Sequence, residues 1–333
     1  MTTLKETLMQ ELHSQDTARG RSKITIVGAG QVGMACTVSI LQAGISDELA
    51  IIDTAENKLK REAAELQYGG LFQKAPKITA DTDYSITAGS KLCIVTVGVC
   101  QEEGESKTSL MQRNIQAFKC IVANLAKHSN DATLIIVSNP VDVLTYVAWK
   151  LSGFPSHRVI GIGTSLESAR FRFLLSEKLQ INPSSIHGYI IGEHGESSVA
   201  VWSGTNVAGI SLQDLNPDLS NDEDVDGRKQ IHLHIIDSAV EARKMKENAP
   251  WALGISVANL AQAVLKNLRT IHTVSTFVKG IHGIEEDIFL SLPCILSSSG
   301  VSGILRQPLT EAELQQLRRS AAALWKTIKK FEL

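Results

Sequence analysis

The sequence has little of what a disulfide-stapled, nucleic-acid-binding or membrane-spanning protein needs. Its five cysteines are an odd number and include no Cys-x-x-Cys pair, which disfavours a disulfide framework and a structural zinc site. Lysine and arginine number 33 against 35 acidic residues, and no basic patch favours nucleic acid as a partner. No apolar run is long enough to cross a membrane, and the first residues do not resemble a signal peptide. These absences favour a cytoplasmic protein that binds neither nucleic acid nor membrane and has no metal site.

Apolar runs alternate with helical stretches through the first half of the 333-residue chain. Continuous apolar runs are typical of parallel strands covered on both faces, so the alternation predicts a doubly wound α/β domain. From about residue 165 the pattern changes to longer helices, and the length predicts a second domain in the same body. Residues 3–13 mix charged and apolar side chains, which predicts a short surface helix. The predicted parallel strands are 24–27, 49–53, 92–97, 133–137 and 159–162.

A glycine-rich turn follows the first predicted strand. It reads Gly28-Ala29-Gly30-Gln31-Val32-Gly33 and opens a predicted helix, and Asp53 ends the next strand. In this context Gly28 makes the turn, Gly30 lets the backbone approach a pyrophosphate, and Gly33 packs helix against strand. Asp53 would bind the adenosine ribose hydroxyls and repel a 2′-phosphate. The pattern therefore predicts a Rossmann domain that binds NAD rather than NADP; the alternative is a strand–helix–strand unit without a ligand.

His194 has a distinctive setting among the nine histidines. It follows a predicted strand and lies between Gly192 and Gly195, in a loop able to face a cleft. Imidazole titrates near neutrality and exchanges a proton readily with an alcohol or a ketone. From these residues alone, a catalytic histidine and an ordinary packed histidine are both open interpretations.

Short segments in both halves of the chain carry a family resemblance. On these segments the whole chain resembles the L-lactate dehydrogenases of the vertebrate type, within the lactate/malate dehydrogenase family. The resemblance implies a Rossmann domain over 23–164, an α+β substrate and catalytic domain over 165–333, and an arm over 1–22 that wraps a neighbouring subunit of a homotetramer. The segments are Ser138-Asn139-Pro140-Val141-Asp142, Ala169-Arg170-Phe171-Arg172, Gly192-Glu193-His194-Gly195, Trp202-Ser203-Gly204, Asn267-Leu268-Arg269 and Phe289-Leu290-Ser291-Leu292-Pro293-Cys294-Ile295-Leu296.

The resemblance also implies roles for single residues. His194 would donate and accept the proton, Arg170 would hold the substrate carboxylate in a bidentate fork, and Asn139 would orient the substrate oxygen and contact the nicotinamide. The segment 98–110 would be a mobile loop that closes over the substrate and excludes water. Within it, neutral Gln101 stands where malate dehydrogenases have arginine. That favours pyruvate or a similar 2-oxo monocarboxylate as the small-molecule partner.

Four positions depart from the family pattern. Cys100 replaces an arginine that reaches the cofactor phosphates, and Lys107 replaces an arginine that acts on the substrate carbonyl. Lysine keeps the charge but loses the planar fork. Glu167, the carboxylate beside the catalytic histidine, replaces an aspartate, and its extra methylene requires the histidine or the helix to shift. Ala249 replaces a threonine at the substrate, which removes a hydroxyl and enlarges the pocket.

Three functions remain open at this point. The first is an NAD-dependent L-2-hydroxy-acid dehydrogenase for L-lactate and pyruvate, favoured by His194, Arg170, Asn139 and Gln101, with a rate lowered by the four departures. The second is a weak or inactive paralogue with a structural or regulatory role, favoured by those same departures. The third is a dehydrogenase for a bulkier 2-oxo acid, favoured by Ala249.

Overall fold

One sheet runs through both halves of the protein. The computed structural model describes residues 8–11, 22–72, 77–99, 104–215, 227–244 and 250–331. Within these ranges the sheet has ten strands in the order β1-β15-β14-β13-β7-β6-β5-β2-β3-β4. Its members are β1 Met9–Glu11, β2 Lys23–Val27, β3 Glu48–Ile52, β4 Lys77–Asp81, β5 Leu92–Val95, β6 Thr133–Ile136, β7 Val159–Gly161, β13 Ile271–Phe277, β14 Phe289–Ser297 and β15 Gly300–Leu305.

The six strands from β2 to β7 are parallel to one another and form the predicted α/β core. Strands β5 and β6 are buried at every position, because helices cover both faces of the sheet. The strand order reverses between β2 and β5, and such a reversal opens a crevice at the carboxyl ends of the two strands. The edge strand β4 has no buried residue, and its weak apolar pattern explains why the sequence did not predict it.

Helices connect these strands and extend through the second half. Helix α1 follows β2, α3 precedes β6, and α5 follows β7 and begins the second half of the chain. The helices are α1 Gln31–Ala43, α2 Glu56–Tyr68, α3 Lys107–His128, α4 Val141–Ser152, α5 Ser165–Leu179, α6 Leu212–Leu215, α7 Arg228–Lys244, α8 Trp251–Leu265 and α9 Glu311–Ile328. None of the helices in the described ranges is long and apolar enough to cross a membrane.

The second half adds antiparallel strands to the same sheet. Strand β13 pairs with β7 at Ser275 opposite Gly161, and β14 and β15 follow in turn. The sequence predicted none of these three strands, and β14 is buried throughout although it contains Pro293, a residue that disfavours a central strand. The strand predicted before His194 is split into two short strands. The remaining short strands are β8 Ile186–His187, β9 Ile190–Ile191, β10 Val199–Ala200, β11 Asn206–Val207 and β12 Ile210–Ser211.

Strand β1 and the start of helix α9 are each fixed by specific hydrogen bonds, and β1 corrects one expectation. The helix predicted over residues 3–13 is wrong at Met9–Glu11, which pairs antiparallel with β15. That pairing satisfies backbone groups that an edge strand would otherwise leave open, so tertiary pairing overrides the local pattern. Helix α9 begins with a capping box: the Thr310 hydroxyl accepts from the Glu313 backbone N–H, and the Glu313 carboxylate accepts from the Thr310 backbone N–H.

Candidate functional site

The glycine turn joins β2 to α1 at the crevice of the sheet. Gly28 has a φ of +106° and donates its backbone N–H to the Ile52 carbonyl at 2.7 Å. A Cβ added at Gly33 would lie 1.8 Å from the Gly28 carbonyl oxygen, so this position requires glycine. A Cβ added at Gly30 would meet nothing within 4 Å, so the turn is open on that side. No side chain of the described residues caps the start of α1, which leaves its N–H groups and positive dipole for an anion.

Asp53 lies beside this turn at the end of β3. Its Oδ2 accepts the Ala29 backbone N–H at 2.6 Å, and its Oδ1 accepts that of Ala55 at 2.9 Å. Each carboxylate oxygen has a second lone pair, so two ribose hydroxyls still have acceptors. The open turn, the uncapped helix start at Gln31 and Val32, and the carboxylate together fit the pyrophosphate and ribose of NAD.

Asn139 lies at the same edge of the sheet. It follows β6 and precedes α4, its peptide bond to Pro140 is cis, and its side chain is exposed. The carboxyl ends of parallel strands meet at one edge, so Asn139 shares that edge with the glycine turn. Asp142 follows Asn139 by three residues, in the first turn of α4, and it contacts the loop that carries His194.

Three predicted site residues form one cluster in the second half. Glu167 and Arg170 lie one turn apart on α5, and His194 lies in the loop between β9 and β10. Glu167 Oε1 is 3.4 Å from His194 Nδ1 and 3.6 Å from Arg170 Nη1. The Glu167 side chain is 7% exposed and that of His194 14%, so water screens their attraction poorly. The extra methylene of Glu167 therefore does not separate the carboxylate from the imidazole.

Electrostatics keep this buried carboxylate charged. Burial by itself would raise the pKa of Glu167, but the attraction of His194 and, to a smaller extent, of Arg170 lowers the pKa below its ordinary value. The carboxylate can therefore stabilise a protonated imidazole. It also shares one oxygen with Arg170, the side chain predicted to bind the substrate carboxylate.

Asp142 is a site residue for which the sequence predicted no role. Its Oδ2 accepts the His194 backbone N–H at 2.7 Å, and its Oδ1 accepts the Ser275 hydroxyl at 2.6 Å. Burial raises the pKa of Asp142 to about 6, against the lowering effect of these two hydrogen bonds. The position of Asp142 two residues after Pro140, at the start of a helix, was the available signal. Its partners are more than fifty residues away in sequence, which the motif does not show.

Four further predicted residues lie where the structure gives no side-chain positions. Cys100, Gln101 and Ala249 lie outside the described residues. Lys107 is the first residue of α3, and the structure describes its backbone but not its side chain. Their predicted contacts with cofactor and substrate remain predictions.

Comparisons with known proteins define the class to which this fold and site belong. The NAD binding domain of the lactate/malate dehydrogenases matches residues 22–161, and the alpha/beta C-terminal domain of the same family matches residues 164–332. The chain belongs to the lactate/malate dehydrogenase family. It is 56% identical over 325 residues to the L-lactate dehydrogenase B chain of Rattus norvegicus and 55% identical to that of Homo sapiens. Each alignment covers 98% of this chain and 97% of the relative. The predicted family, fold class and NAD cofactor are thereby confirmed.

Proposed function

We propose that this protein is an NAD-dependent L-lactate dehydrogenase that interconverts L-lactate and pyruvate. Its relatives carry that name, and one observation supports the same chemistry here. A buried, charged Glu167 contacts both an imidazole, that of His194, and a guanidinium, that of Arg170. An acid–base group thus lies beside a cation suited to a carboxylate, which is what a 2-oxo acid requires.

The imidazole moves the proton. Glu167 lies at Nδ1 of His194, which assigns Nε2 to the substrate oxygen. In pyruvate reduction His194 donates its proton to the carbonyl oxygen, and in lactate oxidation it accepts the hydroxyl proton. Glu167 stabilises the imidazolium in both directions, and Asp142 fixes the backbone from which the imidazole projects.

Other residues bind and orient the reactants. Arg170 binds the substrate carboxylate, and Asn139 orients the substrate oxygen. The turn from Gly28 to Gly33 and Asp53 hold the NAD, which when bound supplies or accepts the hydride at the substrate carbon. In the loop, Lys107 supplies positive charge near the substrate carbonyl, and Gln101 selects a monocarboxylate because it offers no charge to a second carboxylate.

The departures from the family pattern are expected to lower the rate without abolishing it. Glu167 still contacts His194, with 3.4 Å between Oε1 and Nδ1. This contact favours a working proton-transfer site over an inactive paralogue. Cys100 lacks a charge for the cofactor phosphates, so NADH binding is expected to be weaker than in relatives with arginine there. Ala249 lacks the hydroxyl of the family threonine and leaves extra room for the substrate.

We also infer a cytoplasmic homotetramer. Exposed apolar side chains at the end of α2 and in the following turn, Tyr68 at 70%, Leu71 at 90% and Phe72 at 88%, are unusual on a monomer's surface and favour self-association. Sedimentation equilibrium is expected to give four chain masses. A monomer mass at micromolar concentration would contradict the assembly without affecting the proposed reaction.

The reaction is tested by following loss of NADH absorbance with a panel of 2-oxo acids. The panel holds pyruvate, 2-oxobutyrate, phenylpyruvate and oxaloacetate. Pyruvate is expected to turn over and oxaloacetate to be much slower. His194→Gln is the matched control, expected to lower kcat by about a thousandfold while calorimetry gives an unchanged Kd for NADH.

Two outcomes would overturn the proposal. No turnover with any acid, despite measured NADH binding, would identify an inactive paralogue. A kcat/KM for phenylpyruvate well above that for pyruvate would identify a dehydrogenase for bulkier 2-oxo acids, as Ala249 would permit.

A further inference from the structure

The C-terminal helix α9 is tied to the segment that carries and follows His194. The tie uses a stripe of polar side chains at positions 313, 316 and 320, whose spacing of three and four residues places them on one helix face. The contacts join Glu313 to the backbone N–H and hydroxyl of Ser203 at 3.1 and 2.6 Å, Gln316 to the carbonyl of Ser198 at 2.9 Å, and Ser320 to the backbone N–H of Glu193 at 3.2 Å.

Ser320 belongs to a closed ring of hydrogen bonds. The Glu193 backbone N–H donates to Ser320 Oγ, and Ser320 Oγ lies 2.8 Å from Ser197 Oγ. The Ser197 hydroxyl donates to the carboxylate of the same Glu193. A hydroxyl has one proton, so Ser320 must be the donor to Ser197. The ring thus runs in a single direction, from the Glu193 backbone to the Glu193 carboxylate.

Ser320 has no exposed surface, which makes this ring difficult to replace. The relative exposure of Ser320 is 0%. Bulk solvent therefore does not reach this hydroxyl to replace its two hydrogen bonds. Loss of the hydroxyl would leave the Glu193 N–H and the Ser197 hydroxyl without this partner, and the loop would relax to satisfy them.

The ring lies directly beside the catalytic position. The peptide N–H of Glu193 is held by Ser320, and the next peptide N–H, that of His194, is held by Asp142 at 2.7 Å. Two successive N–H groups are thus anchored to α9 and to α4. We propose that Ser320 is a positioning residue: through Glu193 and Ser197 it holds His194 against Glu167. The kinetic part of this inference rests on the proposed function.

The test compares Ser320→Ala and Ser197→Ala with Ser302→Ala. Ser302 is a matched control, because it is also buried and its hydroxyl donates to the Ile295 carbonyl within the sheet. Both ring variants are expected to lower kcat by about tenfold, because the imidazole is less well placed, with Kd for NADH unchanged. Their pH profile of pyruvate reduction is expected to move to lower pH, since a looser loop weakens the contact that stabilises the imidazolium. Ser302→Ala is expected to keep the parent kcat and profile.

A second measurement does not need turnover. The imidazole of residue 194 is titrated by NMR in histidine-labelled protein, with His194→Gln identifying its signal. Its titration is expected to move to lower pH in both ring variants and to stay unchanged in Ser302→Ala. Ser197 is only half-buried, so Ser197→Ala decides if Ser320→Ala fails to fold. If the imidazole of His194 titrated in the folded ring variants as it does in the parent, the inference would be overturned, even if Tm fell. If the parent protein itself lacked turnover, only the proposed function would be contradicted.

Discussion

The glycine turn and the histidine loop are both binding elements, yet they are built differently. The turn from Gly28 to Gly33 is shaped by its own backbone and by the strand next to it, with the Asp53 carboxylate and the Thr96 hydroxyl as distant side-chain partners. The histidine loop has a conformation fixed by side chains from three other elements. These are Glu167 on α5, Asp142 on α4 and Ser320 on α9.

The difference determines what a substitution does in each region. In the turn the critical property is the absence of a side chain, so an added methyl group acts directly on shape. Around His194 the critical properties are charge and hydrogen-bonding capacity, which a substitution can alter while the fold is kept. The first region should therefore respond mainly in stability and NADH binding, and the second mainly in kcat and pH dependence.

The largest effect is expected at Gly33. In Gly33→Ala the new Cβ would lie 1.8 Å from the Gly28 carbonyl oxygen, so the turn cannot keep its shape. NADH binding is expected to be lost, and Tm to fall by roughly 5 to 10 °C. Calorimetric titration with NADH and thermal unfolding followed by circular dichroism measure the two effects.

Gly30→Ala is the matched control for that experiment. Gly30 has an extended backbone with φ −75°, and a Cβ there would meet nothing within 4 Å, so the variant is expected to keep the parent Tm. Its methyl group would occupy the open side of the turn and weaken NADH binding by about tenfold. If Gly33→Ala bound NADH as the parent does, the turn would not be the cofactor site.

A smaller effect, confined to catalysis, is expected at Glu167. Glu167→Gln keeps the size but removes the charge that stabilises the imidazolium, so kcat is expected to fall by about fiftyfold with little change in Kd for NADH. Glu167→Asp keeps the charge and restores the family residue, so its kcat is expected to equal or exceed that of the parent. Steady-state kinetics with pyruvate compare the two, and a Glu167→Gln variant as active as the parent would show that the charge at 3.4 Å is not used.

The same contrast explains what the sequence predicted. The sequence predicts the glycine turn and Asp53 because each glycine is required by local backbone geometry and the acid follows at a fixed place at the end of the next strand. It predicts the parallel strands because they are continuous apolar runs. His194 stood out by its setting, while its catalytic role and the residues Glu167 and Arg170 came from the family resemblance; the structure shows that the three side chains are in contact.

What the sequence did not predict depends on distant pairing. Asp142 and Ser275 are 133 residues apart, and Ser320 is 127 residues from Glu193, so no local pattern joins them. Strand β1 was predicted as helix from its local pattern of charged and apolar residues. Its strand partner, β15, is almost 300 residues away in sequence, so the local pattern does not show the pairing. The distant side chains that hold the histidine loop are therefore the part of this site that the sequence does not predict.

The smallest effect is expected at Asp142, as a pH dependence of stability. Burial raises the pKa of its carboxyl from 3.8 to about 6, so between these pH values the folded protein keeps a proton that the unfolded chain releases. The contribution of Asp142 to the free energy of unfolding therefore falls as the pH rises from about 4 to about 6 and stays low above that range.

The variant Asp142→Asn has no carboxyl proton to keep or release. The difference in Tm, variant minus parent, is expected to increase by about 5 °C across this range. Thermal unfolding at pH 4.5, 5.5, 6.5 and 7.5 measures this difference in Tm. These pH values span the interval from an ordinary carboxyl pKa to the raised one, roughly 4 to 6. The exposed Asp131→Asn is the control and should show a constant difference. A constant difference for Asp142→Asn as well would mean that this carboxylate is charged at both ends of the range, and that the histidine loop is anchored by an ion throughout.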